Sequence, residues 1–268
     1  MAEKMNNLSG KEWLQNSFSI WRDINKTQEE RQLKHPAMFP QQLVEKLINI
    51  YTKNPGEIIL DPFMGIGSTI KAAYNLGKKG VGIDLNNKYC EIAQSRLAKE
   101  QNEIFNKEIQ KFKPDIFCDD SRNLLNHIKP NSVDLVVTSP PYWDILNMKR
   151  TVDNKEKRNY SSLKNDIGNI PDYNKFLNDL KLIYSEVYKA LKPNKRCCCV
   201  VMDIRKQDQF YPLHEDQTRI MREIGFELEE YIIWDRQKEY NNMKTLGYPW
   251  VFRFNKVHEF ICIYWKRS

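Results

Sequence analysis

The sequence of 268 residues contains no long apolar run. No window approaches ~18 consecutive apolar residues, so no membrane-spanning helix is expected. Its first residues, MAEKMNNLSGKEW, hold no apolar h-region, and no secretory signal is expected. Glycine is scarce, at 10 residues, and no repeat of fixed period occurs, which argues against a collagen-like chain or a solenoid. Cysteine is limited to six residues, and Cys197, Cys198 and Cys199 are adjacent within an apolar run. Neighbouring strand residues point to opposite faces, so this triplet suits neither a disulfide framework nor a zinc cluster, and no metal site is expected. These absences point to a cytoplasmic protein. What is present is a globular composition, 41% hydrophobic and 29% charged, with enough length to bury a sizeable core. Lys and Arg outnumber Asp and Glu by 42 to 35, for a net charge of +7. A basic excess of this size is compatible with a polyanionic partner, but also with none.

Residues 1–34 read as a polar, helical N-terminal extension, with Trp13, Phe18 and Trp21 able to dock on a core. From residue 35 to residue 268 a second pattern takes over. After the turn HPAMFP, the segment Gln41–Tyr51 places Leu43, Leu47, Ile50 and Tyr51 on one helical face. Short apolar runs then alternate with helical patterns. Seven strand candidates are EIIL (57–60), VGID (81–84), DIFC (115–118), VDLVVT (133–138), CCCVVMDI (197–204), YIIW (231–234) and FICIYW (260–265). Helices are expected at 68–76, 87–99, 173–191 and 214–224; in the third, Asp172 serves as N-cap and Pro193 lies beyond the end. Such alternation predicts an α/β fold with a doubly wound, mostly parallel, seven-stranded sheet. Two stretches depart from the pattern. Residues 147–168 are apolar-poor with six basic and three acidic residues, either a solvated connection or a nucleic-acid-facing loop. Residues 235–256 interleave Arg236, Lys238, Lys244, Arg253 and Lys256 with Tyr240, Tyr248, Trp250 and Phe252, which suits stacked bases and phosphates or a compact apolar minidomain.

Two motifs carry chemistry. Asp61-Pro62-Phe63-Met64-Gly65-Ile66-Gly67-Ser68-Thr69 follows the first strand candidate and opens a helix, where unpaired helix N–H groups and a close backbone approach cradle a ligand. Asp84 ends the next strand, in position to accept hydrogen bonds from ribose hydroxyls. Position 70 is Ile, so the third glycine of a dinucleotide fingerprint is missing, and Asp61 at the loop entrance would repel a pyrophosphate. A nucleoside with a cationic amino-acid tail fits better, and S-adenosyl-L-methionine is such a molecule. Asp120 and Ser121, after the third strand, could meet an adenine amino group or simply cap a helix. The second motif, Thr138-Ser139-Pro140-Pro141-Tyr142-Trp143, is a stiff turn whose carbonyls lack local partners beside two aromatic faces. It suits an amino-bearing planar ring: Ser139 Oγ and the Pro140 carbonyl accept from the exocyclic amine while Tyr142 stacks. If the strands before the two motifs are neighbours at the point where strand order reverses, the motifs share one cavity.

These residues resemble the amino-methylating DNA methyltransferases, which modify cytosine N4 or adenine N6. HPAMFP is similar to that family's motif X, DPFMGIGST to motif I, GIDLN to motif II, CDDSRNL to motif III, TSPPYW to motif IV and EFICIYWK to motif VIII. The resemblance implies a Rossmann-like catalytic domain over 35–268 with S-adenosyl-L-methionine as cofactor. It assigns His35, Pro36, Phe39, Asp61, Phe63, Gly65, Gly67, Ser68, Asp84, Leu85, Asp120 and Ser121 to the cofactor. Ser139, Pro140, Pro141 and Tyr142 would hold a flipped base in double-stranded DNA. Ser before Pro-Pro-Tyr-Trp looks more like the cytosine-N4 members than the adenine-N6 members, most of which carry Asp. The family's cofactor and catalytic halves stand here in the order cofactor first. Only three residues follow Trp265, so a separate C-terminal recognition domain is not expected, and recognition falls to residues 147–168, to residues 235–256 or to the N-terminal region, with Trp143, Lys149, Arg150, Arg236, Lys238, Tyr248 and Arg253 as the candidate contacts. A cognate restriction endonuclease is a partner that the resemblance leaves open.

Overall fold

The computed structural model describes residues 4–33, 38–103, 111–145, 163, 165–239 and 245–268. Its frame is an eight-stranded sheet in the order β1-β9-β10-β6-β5-β2-β3-β4, formed by β1 (Ile20–Trp21), β2 (Ile58–Asp61), β3 (Lys79–Asp84), β4 (Asp115–Cys118), β5 (Val133–Thr138), β6 (Leu191–Val201), β9 (Glu227–Asp235) and β10 (His258–Trp265). A separate hairpin joins β7 (Ile204–Lys206) to β8 (Gln209–Tyr211). All pairings in the large sheet are parallel except those of β10, which runs antiparallel to β6 and β9. The seven expected strands are all present.

The N-terminal segment differs from its helical expectation. It forms two short helices, α1 (Gly10–Asn16) and α2 (Gln28–Gln32), and between them β1 extends the sheet by pairing with β9. Burial explains this. Trp21 lies opposite Trp234 in the core, whereas Trp13 and Phe18 stay exposed.

Helices cover both faces of the sheet. α3 (Gln41–Tyr51) and α4 (Ser68–Asn75) pack on Ile59, Leu135, Val137, Cys198 and Val200, and α5 (Asn87–Glu103) packs beside α4. α6 (Tyr173–Ala190) and α7 (Leu213–Ile224) cover Leu60, Val136, Cys197 and Cys199 on the other face. The cysteine triplet therefore alternates as a strand buried on both sides must, and all six cysteines are free. Pairing of β2 with β5, through Ile59–Leu135 and Leu60–Val136, creates the switch point. From β2 the chain winds toward β3 and β4; from β5 it winds the other way toward β6. Ligands of open parallel sheets bind beyond the strand ends at such a point. Among the described residues, no helix is long and apolar enough to cross a membrane.

Candidate active site

Both motifs open from the carboxyl ends of the switch-point strands and line a single cleft. The glycine turn is shaped by backbone constraint. Gly65 and Gly67 have φ of 53° and 82°, and a Cβ on Gly67 would stand 2.9 Å from Ala93 Cβ. Both angles lie in the left-handed region, where glycine is at home. Asp61 ties the two motifs together beneath the cleft. One carboxylate oxygen accepts from the Thr138 hydroxyl at 2.7 Å and the Phe63 N–H at 3.0 Å, and the other from the Thr69 hydroxyl at 2.6 Å. Its full burial pushes the carboxyl up to about 6, against the pull of those three donors.

Asp61 is accordingly a correction to the sequence reading. It faces the protein interior and braces the turns rather than lining the cleft. Gly67 likewise lies behind the wall, as the N-terminal cap of α4. Phe39, Phe63, Gly65, Ser68, Asp84, Leu85, Asp120 and Ser121 do line it. Asp84 accepts from the Gly65 and Asn86 N–H groups, each at 2.8 Å, and burial pushes its carboxyl up to about 6. Ser121 donates to the Pro62 carbonyl. The Asp120 carboxylate is already gripped by Arg122, through Nε at 2.9 Å and a terminal nitrogen at 2.6 Å. Arg122 also reaches Asp179 at 2.5 Å and the Asn165 carbonyl at 3.0 Å, which anchors the wall formed by Asn165, Asp166 and Ile167. That wall was not foreseen; the one available signal was Ile167 among polar neighbours. Met38, Tyr89 and Ile183 also line the cleft without having been singled out.

Ser139, Pro140, Pro141 and Tyr142 form the facing wall. The Tyr142 hydroxyl donates to Glu259 at 2.8 Å, and Ser139 Oγ lies 3.1 Å from the same phenol oxygen. Trp143, expected to face nucleic acid, is instead core. It is 3% exposed, donates from Nε1 to the Ile170 carbonyl at 2.7 Å and packs against Tyr173 and Tyr211. An indole is too large to leave dry space unfilled, and its N–H finds a carbonyl as buried Trp usually does. Arg236 is also drawn inward, to Glu259 and to Glu239 at 2.8 Å. Arg253 is tied to Asp208 and donates to the Gln207 carbonyl at 3.0 Å. Lys238 and Tyr248 are exposed. His35, Pro36, Lys149 and Arg150 lie outside the described residues, with most of the 147–168 segment.

A sequence profile of the family described as DNA methylase, the N6/N4 methyltransferases, matches residues 2–95 and 133–268. The chain belongs to that family. Its curated relatives include the orphan methyltransferase M.BamHII of Bacillus amyloliquefaciens, 40% identical over 84 residues that cover 30% of this chain and 31% of the relative. The Type II methyltransferase M.BglII of Bacillus subtilis is 32% identical over 104 residues, 38% of this chain and 28% of the relative. The matched stretch thus spans under a third of either relative's length. Among solved structures, TTHA0409 of Thermus thermophilus, in complex with S-adenosyl-L-methionine, is 29% identical with a TM-score of 0.39, over 56% of this chain and 54% of that one. Membership brings S-adenosyl-L-methionine as cofactor. The cleft suits such a group. Among the described residues Ser68 Oγ is buried there with no hydrogen-bond partner, Asp84 offers a carboxylate, and Phe39, Phe63 and Ile66 offer apolar surface.

Proposed function

We propose that this chain is a DNA methyltransferase that transfers a methyl group from S-adenosyl-L-methionine to the exocyclic N4 of cytosine in double-stranded DNA. The observation that supports it is the single cleft shared by the glycine turn and the double-proline turn at the switch point. Bound there, S-adenosyl-L-methionine would supply an electrophilic methyl carbon: one N–C bond forms as one S–C bond breaks, the sulfur keeps that bond's electron pair, and the methylated amine then releases one proton to water. Phe39, Phe63, Ile66 and Leu85 would enclose the nucleoside, with Asp84 accepting from its ribose hydroxyls and Asp120 near its amino group. Across the cleft, Ser139 Oγ and the Pro140 carbonyl would accept the two hydrogens of the base amine, and the Tyr142 ring would stack on the base. Holding both hydrogens aims the nitrogen at the methyl carbon, so positioning and exclusion of water carry the catalysis. In a duplex that amine is paired and stacked, so the nucleotide must be extruded to reach Ser139.

For the rest of the DNA, the turn that follows Gly247 is the suited surface. Tyr248, Trp250, Phe252 and Phe254 are 79–89% exposed, with Lys238 on the neighbouring segment. Cytosine is chosen because residue 139 is Ser, as in the resembling N4 enzymes. Incubation with labelled S-adenosyl-L-methionine and unmethylated plasmid DNA, followed by nucleoside mass spectrometry, tests the proposal. Label in N4-methylcytosine is expected. Label in N6-methyladenine alone overturns the base assignment, and no transfer to DNA overturns the activity.

A further inference from the structure

Glu259 opens the body of β10 and is only 5% exposed, and the chemistry described so far does not use it. Its Oε1 is bonded to the Arg236 guanidinium at the end of β9, and its Oε2 accepts from the Tyr142 hydroxyl at 2.8 Å. Ser139 Oγ stands 3.1 Å from that hydroxyl. Arg236, Glu259, Tyr142 and Ser139 therefore form a continuous chain from the β9–β10 edge into the cleft.

The direction of hydrogen bonding along this chain is dictated by its ends. A carboxylate accepts and cannot donate. The single phenolic hydrogen of Tyr142 is therefore committed to Glu259; the Val200 carbonyl, at 3.4 Å, is too distant to compete. With its hydrogen committed, the phenol oxygen serves Ser139 as an acceptor, and the Ser139 hydroxyl hydrogen points to it. What Ser139 Oγ then presents to the cleft is lone pairs. A serine hydroxyl free to rotate would serve an amine and a carbonyl oxygen equally well; one held this way serves an amine and repels a carbonyl.

We infer that Glu259 is a positioning residue which, through Tyr142, fixes Ser139 as a hydrogen-bond acceptor and so selects bases bearing an exocyclic amine. No proton is transferred along the chain; only hydroxyl orientations are set. The inference rests on the proposed methylation of a base amine, and one kinetic experiment separates the two. Wild type, Glu259→Gln, Tyr142→Phe and the double variant are assayed on unmethylated plasmid DNA, with kcat, KM and Kd for S-adenosyl-L-methionine and melting temperature recorded. Glu259→Gln, whose amide can donate to Tyr142 and reverse the chain, is expected to lower kcat tenfold or more, with KM and Kd for the cofactor within twofold of wild type. Tyr142→Phe keeps the ring and the Arg236–Glu259 pair and is expected to lose a similar factor. Because both act through one hydroxyl, the double variant should be no slower than Tyr142→Phe alone. Unchanged kcat in Glu259→Gln, or losses that multiply in the double variant, overturns the inference while leaving the methyltransferase reading intact. If Glu259→Gln does not fold, an unchanged kcat in Tyr142→Phe overturns it. A wild type that transfers no methyl group overturns both.

Discussion

Burial pushes the carboxyls of Asp61 and Asp84 up to about 6, yet the two acids serve different ends. Asp61 is closed off beneath the turns, whereas Asp84 lines the cleft and can meet a ligand. A carboxyl whose value is raised on folding stabilises the fold fully only below its ordinary value of 3.8, and that contribution is lost as pH rises through about 6. Binding runs the other way at Asp84. Ribose hydroxyls donate to its ionised form, so affinity for S-adenosyl-L-methionine should fall as pH drops through about 6. Calorimetric titration of the wild type is expected to show Kd rising roughly tenfold per pH unit below that point at most. Asp84→Asn should bind weakly throughout, with this pH dependence flattened. A variant that follows the wild-type curve would remove Asp84 from the cofactor site. Trp143 behaves oppositely to a surface ligand. Trp143→Ala empties a packed site, so a loss of about 3–5 kcal/mol in denaturant unfolding is expected.

Among the elements, α4 shows how a local backbone requirement positions the site. Its cap, Gly67, has φ of 82° and backs onto Ala93 of α5 at a distance no real Cβ tolerates. Gly67→Ala should cost about 1–3 kcal/mol, read as a lowered melting temperature together with weakened cofactor binding. Gly10→Ala is the control: nothing lies within 4 Å of a Cβ there, and the change should be close to neutral. Such features are readable in a sequence because the information is local. The glycine turn, the Ser-Pro-Pro-Tyr turn and the seven apolar runs each announce themselves within a few residues, and the structure brings both turns into one cleft. β1 is two residues long and exists because β9 offers it an edge, and β7 and β8 are three residues each; none is long enough to show periodicity. The part played by Arg236 is illegible for a different reason, sequence distance. Its partner Glu259 lies 23 residues away in sequence, and only the antiparallel pairing of β9 with β10 brings them together. Asp61 misled in the reverse sense: its place beside a ligand-binding turn suggested contact, but Thr69 and Thr138, the latter 77 residues distant, had already engaged it.

For the molecule as a whole, the question is how a net charge of +7 is arranged. Several cations are engaged by acidic side chains: Arg122 by Asp120 and Asp179, Arg236 by Glu259 and Glu239, and Arg253 by the exposed Asp208. Each engaged guanidinium has less to give a phosphate. The exposed aromatics after Gly247 are not so engaged by burial, and Phe252 and Phe254 meet edge to face at 5.2 Å, still open to solvent. Stacking on bases is insensitive to salt, whereas a phosphate contact releases counterions. The two contributions are therefore separable by titrating DNA affinity against salt between about 50 and 200 mM. The triple variant Trp250→Ala, Phe252→Ala, Phe254→Ala should weaken DNA binding at every salt concentration, leaving the slope of log K on log salt, the melting temperature and the cofactor Kd unchanged. Lys238→Ala should instead reduce the slope by about 1, and Arg253→Ala, already neutralised by Asp208, by less. If the triple variant binds DNA as the wild type does, this turn is not the nucleic-acid surface, and residues 147–162, short of the cleft wall at 165–167, become the stretch to truncate next.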